Sequence, residues 1–165
     1  MLTVRYSHTL ACGADEFWRV FFDPDYNRRL FREILLYPAY EIVEQHETDL
    51  EIRRKVAAQP PVVIPSLFRK LVAGGLSYVE DGKFDKRERT WHWTLASGAF
   101  GPRVHYAGTI EARPAVNGSC ERLVEATITV RAPAFTGLFE RAARDLFHEA
   151  MEASARYVEQ WLAMR

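Results

Sequence analysis

Two charged residues occupy positions where strand alternation places apolar side chains. Arg54 shares one face of its strand with Ile52 and Val56, and Glu80 shares a face with Tyr78. Charged side chains are rarely buried without a partner, so an inward-facing Arg54 and Glu80 would form an ion pair or bind the polar group of a ligand. A guanidinium group suits a carboxylate or a phosphate, because it donates two parallel hydrogen bonds. The alternative is that both residues lie solvated at the rim or pair only for structure.

One histidine and three tyrosines are the other polar groups on predicted apolar faces. His8 alternates with Tyr6 and Leu10, where a histidine is either a core residue or a contact and proton-transfer group for a ligand. The hydroxyls of Tyr6, Tyr78 and Tyr106 could bind a ligand carbonyl. Within a packed core they would instead bond to protein or water.

The sequence contains no motif of a known catalytic or cofactor site. Cys12 and Cys120 lie far apart without a Cys-x-x-Cys pair, so neither a disulfide scaffold nor a zinc ribbon is predicted. His92 and His105 lack a third metal ligand at a defined spacing. The patterns G-x-S-x-G, H-E-x-x-H, G-x-G-x-x-G and the P-loop are missing as well. We therefore expect no metal, no cofactor and no defined catalytic residue.

Length and composition favour an ordinary globular protein. The chain has 165 residues with 22 Lys and Arg against 22 Asp and Glu, and 48% of its residues are hydrophobic. This balance excludes long disorder and provides no basic surface for nucleic acid. The amino terminus lacks the apolar region of a signal peptide, and no stretch approaches ~18 apolar residues. We expect one ligand-binding domain over residues 1–165, with reduced thiols, in the cytoplasm.

Periodicity predicts a strand, two short helices, six more strands and one long helix. Alternation over residues 2–10 predicts the first strand, and Asp23 with Pro24 ends one helix and begins the next. The long helix over 137–164 repeats apolar residues every three or four positions. The six later strands are predicted from alternation and turn residues near 38–47, 49–57, 76–84, 87–97, 102–113 and 120–131.

Two short motifs, D-E-F-W at residues 15–18 and D-P-D-Y at 23–26, accompany this order of elements and its closing helix. In these features the chain resembles the START and Bet v 1-like helix-grip superfamily (SRPBCC). The likeness is to uncharacterised bacterial members and covers nearly the whole chain. It implies an α+β fold in which a curved seven-stranded antiparallel sheet is crossed on its concave face by the carboxy-terminal helix. It also implies an internal apolar cavity for lipids, sterols or polyketides, used in transfer, sensing or cyclase chemistry.

Strand and helix parity predicts the wall of such a cavity. Arg89, Trp91, Trp93 and Leu95 share one face of their strand, and the alanine-rich stripe of the last helix surrounds Leu146. The tryptophans would line the cavity or fill it. The alanines would admit close sheet contact or leave room for a ligand. The predicted cavity residues are Tyr6, His8, Arg54, Tyr78, Glu80, Trp91, Trp93, Tyr106, Leu146 and Ala150.

A proline-punctuated segment, residues 58–75, is too apolar for an ordinary surface loop. It could cover the mouth of the cavity or touch a membrane transiently. Alternatively it folds into the core or forms a dimer contact. The residues predicted at the mouth are Val63, Ile64, Leu67 and Phe68.

Three functions are compatible with these patterns. The first is non-enzymatic binding or transport of a small hydrophobic ligand (lipid, sterol-like or polyketide-like) between the sheet and the last helix. The second is an aromatase/cyclase-type enzyme acting on a polyketide-like substrate. The third is a protein-partner module that uses the apolar segment 60–72. For all three we expect a monomer or weak homodimer without nucleic-acid binding.

Overall fold

The helices and strands follow the predicted order. The computed structural model describes residues 1–61, 76–98, 103–131 and 136–165, with the backbone alone at 136, 138 and 139. Its elements are β1 (Leu2–Leu10), α1 (Ala14–Phe21), α2 (Pro24–Arg29), a π-helical turn (Leu30–Ile34), β2 (Ala39–Glu47), β3 (Glu51–Gln59), β4 (Tyr78–Asp85), β5 (Thr90–Ser97), β6 (Val104–Pro114), a 3-10 turn (Val116–Gly118), β7 (Cys120–Val130) and α3 (Thr136–Ala163).

The two short helices are separated by a capping residue. The carboxylate of Asp23 accepts hydrogen bonds from the backbone N–H groups of Asp25 and Tyr26, at 2.9 and 3.2 Å. Pro24 occupies the first turn of α2, where its missing N–H has no helical partner to lose. This cap turns the chain sharply after α1 and directs Tyr26 and Asn27 of α2 into the interior, where both are buried.

All seven strands form one antiparallel sheet in the order β1-β7-β6-β5-β4-β3-β2. Each strand pairs with its chain neighbour except β1, which pairs with β7. The sheet is curved, and the register aligns its inward residues in rows across the strands. One such row runs through Arg54, Gly82, Trp93, Gly108 and Ala126.

The core lies on the concave face of the sheet, and α3 crosses that face. Buried aromatic side chains from α1, α2 and α3 meet those of the sheet. Phe17 of α1, Trp91 of β5 and Val158 of α3 are each 1% exposed. The fold is therefore the α+β helix-grip architecture that the order of elements predicts.

One residue that was expected on the inner face lies elsewhere, and several helix and strand ends differ from the predicted ones. Arg89 was expected on the inner face with Trp91, but β5 begins at Thr90. Arg89 has a φ of 56° in the preceding turn and is exposed. Its guanidinium pairs with Asp15 of α1. The strand pattern failed there because the turn between β4 and β5 extends over residues 86–89.

Candidate functional site

A cavity of about 250 Å³ lies between the concave face of the sheet and α3. Residues of α1, α2 and the π-helical turn also contribute to its wall. Among the described residues its lining is mostly aromatic and aliphatic. The aromatic members are Phe17, Phe21, Tyr26, Phe31, Tyr37, Tyr78, Trp91, Trp93, Tyr106 and Phe147.

Two glycines allow the tryptophan rings to lie close against the sheet. A Cβ atom at Gly82 would stand 1.8 Å from Cζ2 of Trp91, and one at Gly108 would stand 2.5 Å from Cζ2 of Trp93. No side chain fits at those distances, so each indole occupies the space above a glycine. The rings of Trp91 and Trp93 therefore form part of the cavity wall and leave its centre open.

Arg54 and Glu80 form one polar group in the lining. Arg54 is 5% exposed, and its Nη1 donates to the carbonyl oxygen of Phe21 at 2.9 Å. Its Nη2 lies 3.8 Å from Oε1 of Glu80, which is an ion-pair distance and too long for a hydrogen bond. The guanidinium also lies 4.6 Å from the ring centre of Phe21 and 5.0 Å from that of Trp91. Stacking on aromatic faces lowers the cost of burying this charge.

The groups around Glu80 favour protonated forms. Burial raises the pKa of the Glu80 carboxyl, Arg54 lowers it, and the net change is upward. The hydroxyls of Tyr37 and Tyr78 lie near each other and near this carboxyl. Burial raises the pKa of Tyr37 to about 12 and that of Tyr78 well above its usual value. This part of the cavity therefore presents a carboxyl group with increased proton affinity beside two hydroxyl groups.

Arg122 of β7 forms a second polar group in the lining, and it is 4% exposed. Its Nη1 donates to Oγ of Ser154 at 2.8 Å, and its Nη2 donates to the carbonyl oxygen of Met151 at 2.8 Å. Nη2 also lies 3.1 Å from Nδ1 of His8, whose Nε2 lies 2.8 Å from a carboxylate oxygen of Glu152. A guanidinium group can only donate hydrogen bonds, so Nδ1 of His8 accepts from Arg122. The proton of the neutral imidazole is then on Nε2, which donates to Glu152.

Eight of the ten predicted cavity residues line this cavity. They come from β3, β4, β5, β6 and α3, and they are Arg54, Tyr78, Glu80, Trp91, Trp93, Tyr106, Leu146 and Ala150. Tyr6 and His8 lie instead between β1 and α3, outside the lining. The Tyr6 hydroxyl is 3.5 Å from the carbonyl oxygen of Arg144, and His8 bonds to Arg122 and Glu152. Direct ligand contact by any of the ten stays a prediction.

Sequence reasoning missed Arg122, Ser154 and Asn27. Alternation along β7 puts Arg122 on the same face as the apolar residues Val124 and Ala126. That signal could have identified it. Ser154 and Asn27 lie on helices, where an isolated small polar residue gives no comparable signal.

The predicted mouth residues Val63, Ile64, Leu67 and Phe68 lie outside the described residues.

Within the described ranges, no group of three or more metal-ligating side chains comes together. His92 pairs across the sheet with Thr109, and His105 pairs with Thr129. The two histidines are therefore not opposite each other.

Cys12 and Cys120 come together where β1 and β7 pair. Both are free and buried. Burial raises the pKa of Cys12 to about 12, which disfavours the thiolate that nucleophilic chemistry needs.

Of the helices the structure describes, none combines the length and apolar character required to cross a bilayer.

Sequence comparison assigns the family. A family model described as "Protein of unknown function (DUF2505)" matches residues 5–162. The chain belongs to the DUF2505 family. A comparison with curated protein sequences finds no match.

Solved structures share the fold of this DUF2505 protein at low sequence identity. The Zhui aromatase/cyclase from Streptomyces sp. R1128 is 16% identical with a TM-score of 0.69, over 96% of this chain and 92% of that one. Norcoclaurine synthase from Thalictrum flavum is 18% identical with a TM-score of 0.68, over 99% and 87%. The protein TTHA0849 from Thermus thermophilus is 16% identical with a TM-score of 0.66, over 96% and 95%. The Bet v 1-like helix-grip fold is therefore shared, as the order of elements predicts.

Proposed function

We propose that residues 1–165 form one domain that binds a small hydrophobic molecule between the sheet and α3 without transforming it. The observation that carries this proposal is the cavity of about 250 Å³ with a mostly apolar lining. Small-molecule sites are typically concave and apolar, with a few polar groups that orient the ligand, and they measure ~300–1,000 Å³. Because this volume lies just below that range, a compact ring-containing ligand fits the described lining better than a two-chain lipid.

Binding would draw on apolar burial and on stacking against aromatic rings. Each Å² of apolar surface removed from water contributes ~25 cal/mol. Trp91 and Trp93 belong to the lining, and Phe147 stacks on Trp93 with ring centres 5.8 Å apart. One fold neighbour, norcoclaurine synthase, has been solved in complex with dopamine and hydroxybenzaldehyde. A ligand of similar size is what we propose here.

The test uses protein purified without detergent. Native mass spectrometry and solvent extraction would identify any molecule that copurifies. Titration with the neutral dye N-phenyl-1-naphthylamine then measures binding through dye emission and through quenching of tryptophan emission. We expect saturable binding at one site. Protein that carries no ligand and does not bind the dye would overturn the proposal.

A second candidate function is acid–base catalysis of the aromatase/cyclase type. The observation that favours it is Glu80, since a carboxyl with a raised pKa beside Arg54 and Tyr78 suits a general acid. If this function is correct, Glu80→Gln abolishes turnover of a polyketide-like substrate while dye binding survives. Glu44→Gln, which changes an exposed carboxyl on β2 outside the cavity lining, serves as the control and should retain turnover.

Two further expectations stay predictions. A partner-binding role or a transient membrane contact would use residues 60–72, most of which fall outside the described residues. Light scattering of the natural protein and of Phe68→Asp tests the expected monomer or weak homodimer. A loss of self-association in Phe68→Asp would favour an interface over a covering of the cavity mouth.

A further inference from the structure

Arg122 is a buried cation whose direct partners are all neutral. The guanidinium bonds to a serine hydroxyl, a backbone carbonyl and an imidazole nitrogen. Burial lowers the pKa of Arg122, and the charge of Glu152 is among the effects that raise it. Glu152 reaches this group only through His8, and its side chain is 41% exposed. Among the described residues, no carboxylate therefore contacts the Arg122 guanidinium directly.

The hydrogen-bonding capacity of Arg122 is also incomplete. Its Nε–H is buried and has no hydrogen-bond partner among the described residues. An unsatisfied buried N–H of a charged group is costly, by more than the ~1–3 kcal/mol of a neutral one. Structural attachment of α3 to the sheet accounts for the Nη1 and Nη2 contacts. It does not account for the free Nε–H or for the missing anion.

The second buried guanidinium of the cavity differs in its surroundings. Arg54 has a carboxylate in direct ion-pair contact, Glu80 at 3.8 Å, and three aromatic rings around it. Its Nε likewise has no partner in the described part of the chain. The two arginines stand on β3 and β7, four strands apart, which is roughly 19 Å along the sheet at ~4.8 Å per strand. They belong to different ends of the cavity.

From these observations we propose that Arg122 binds a carboxylate of the ligand, so that the natural ligand is an apolar monocarboxylic acid. The inference rests on the proposed function and adds the class and orientation of the ligand. One cation without an anion matches one negative charge, whereas a phosphate dianion would leave excess charge in an apolar cavity. The carboxylate binds the guanidinium at the Arg122 end, and the apolar body of the ligand extends along the tryptophan wall toward Arg54.

Two probes of the same shape test the charge preference. Calorimetric titration compares naphthalene-2-carboxylate with neutral naphthalene-2-carboxamide at low ionic strength. Hydrogen bonds to charged groups are worth ~1.5–3 kcal/mol, so the natural protein should bind the carboxylate about ten- to a hundredfold more tightly. In Arg122→Met this preference should fall to about threefold or less. The matched variant Arg54→Met should keep it.

Each outcome separates this inference from the proposed function. If neither probe nor the neutral dye binds, the proposed function fails together with the inference. If the carboxamide binds as well as the carboxylate, or if Arg54→Met alone removes the preference, the ligand-binding function stands and the role of Arg122 is overturned.

A second measurement applies to the natural protein and does not depend on the folding of Arg122→Met. The buried Nε–H of Arg122 should give a slowly exchanging ¹⁵N–¹H signal, assigned through its proximity to Ser154. Addition of naphthalene-2-carboxylate should shift this signal toward lower field, and naphthalene-2-carboxamide should shift it much less. An unchanged signal at saturating carboxylate would overturn the assignment of Arg122 as the anchor.

Discussion

Single residues decide whether the interior of this protein is a solid core or a cavity. Gly82 and Gly108 carry no side chain at the points where the indoles of Trp91 and Trp93 lie against the sheet. Any larger residue there would push a ring toward α3 and into the open space. The polar residues act in the same confined region, since Arg54, Glu80 and Arg122 all face it.

A methyl group at Gly82 should displace Trp91. The added Cβ would lie 1.8 Å from the indole, so Gly82→Ala should lower the free energy of unfolding by about 1–3 kcal/mol and alter the near-ultraviolet circular dichroism. Urea unfolding measures the first effect. The control is Gly137→Ala in α3, where no described atom beyond its chain neighbours and its own helix backbone lies within 4 Å of the new Cβ. Equal stabilities of the two variants would contradict this account.

The charge state of Glu80 should make stability depend on pH. Its folded-state pKa is raised above the unfolded value, so the folded protein holds the proton more tightly and stability falls as pH rises from about 4.5 through the folded pKa. Glu80→Gln removes this loss. Its stability relative to the natural protein should therefore increase over that interval, as urea unfolding at several pH values would measure.

The matched control for Glu80 is Glu44→Gln. Lys55 lowers the pKa of the Glu44 carboxyl on the exposed strand β2, so this variant should show no gain in stability at higher pH. A pH-independent difference between Glu80→Gln and the natural protein would show that Glu80 ionises as it does in water.

At the scale of elements, the attachment of α3 to the sheet determines how wide the cavity is. Apolar residues of the helix pack on the core, but Arg122 of β7 also joins the sheet to Met151 and Ser154 of α3. His8 of β1 adds a second connection to Glu152. The polar contacts fix one position along the helix, whereas apolar packing alone would tolerate some sliding.

Removing one of these contacts should loosen the middle of α3. Ser154→Ala deletes the acceptor of the Arg122 Nη1 group and should destabilise the protein by about 2 kcal/mol. Amide hydrogen exchange should become faster around residues 150–156. The control is Ser7→Ala, whose exposed hydroxyl bonds to Glu121 and whose loss should cost ~0.5 kcal/mol or less. Unchanged exchange in α3 of Ser154→Ala would contradict the connecting role.

At the scale of the whole molecule, a curved sheet and a straight helix leave space that side chains fill only in part. A larger side chain in that space should weaken ligand binding without unfolding the protein. In Ala150→Phe the new ring enters the cavity, so affinity for N-phenyl-1-naphthylamine should fall at least tenfold while the fold is retained.

Ala163→Phe is the matched control for this variant, because Ala163 is an exposed residue of the same helix. It should bind the dye as the natural protein does. If Ala150→Phe also binds the dye unchanged, the dye occupies a different site and the cavity is not the binding site.

The sequence by itself determined the elements and their order, because alternation and helical periodicity record which faces are buried. It also showed that Arg54, Glu80 and the two tryptophans share strand faces with apolar residues, and it left open whether the two charged residues lie inside or at the rim. Whether those faces enclose space, and which polar residues reach it, was decided only by the tertiary structure. Arg122 meets Ser154, Met151 and His8 only because β7 pairs with β1 and α3 crosses both. Contacts between residues more than 100 positions apart depend on how the elements pack, which local patterns do not encode.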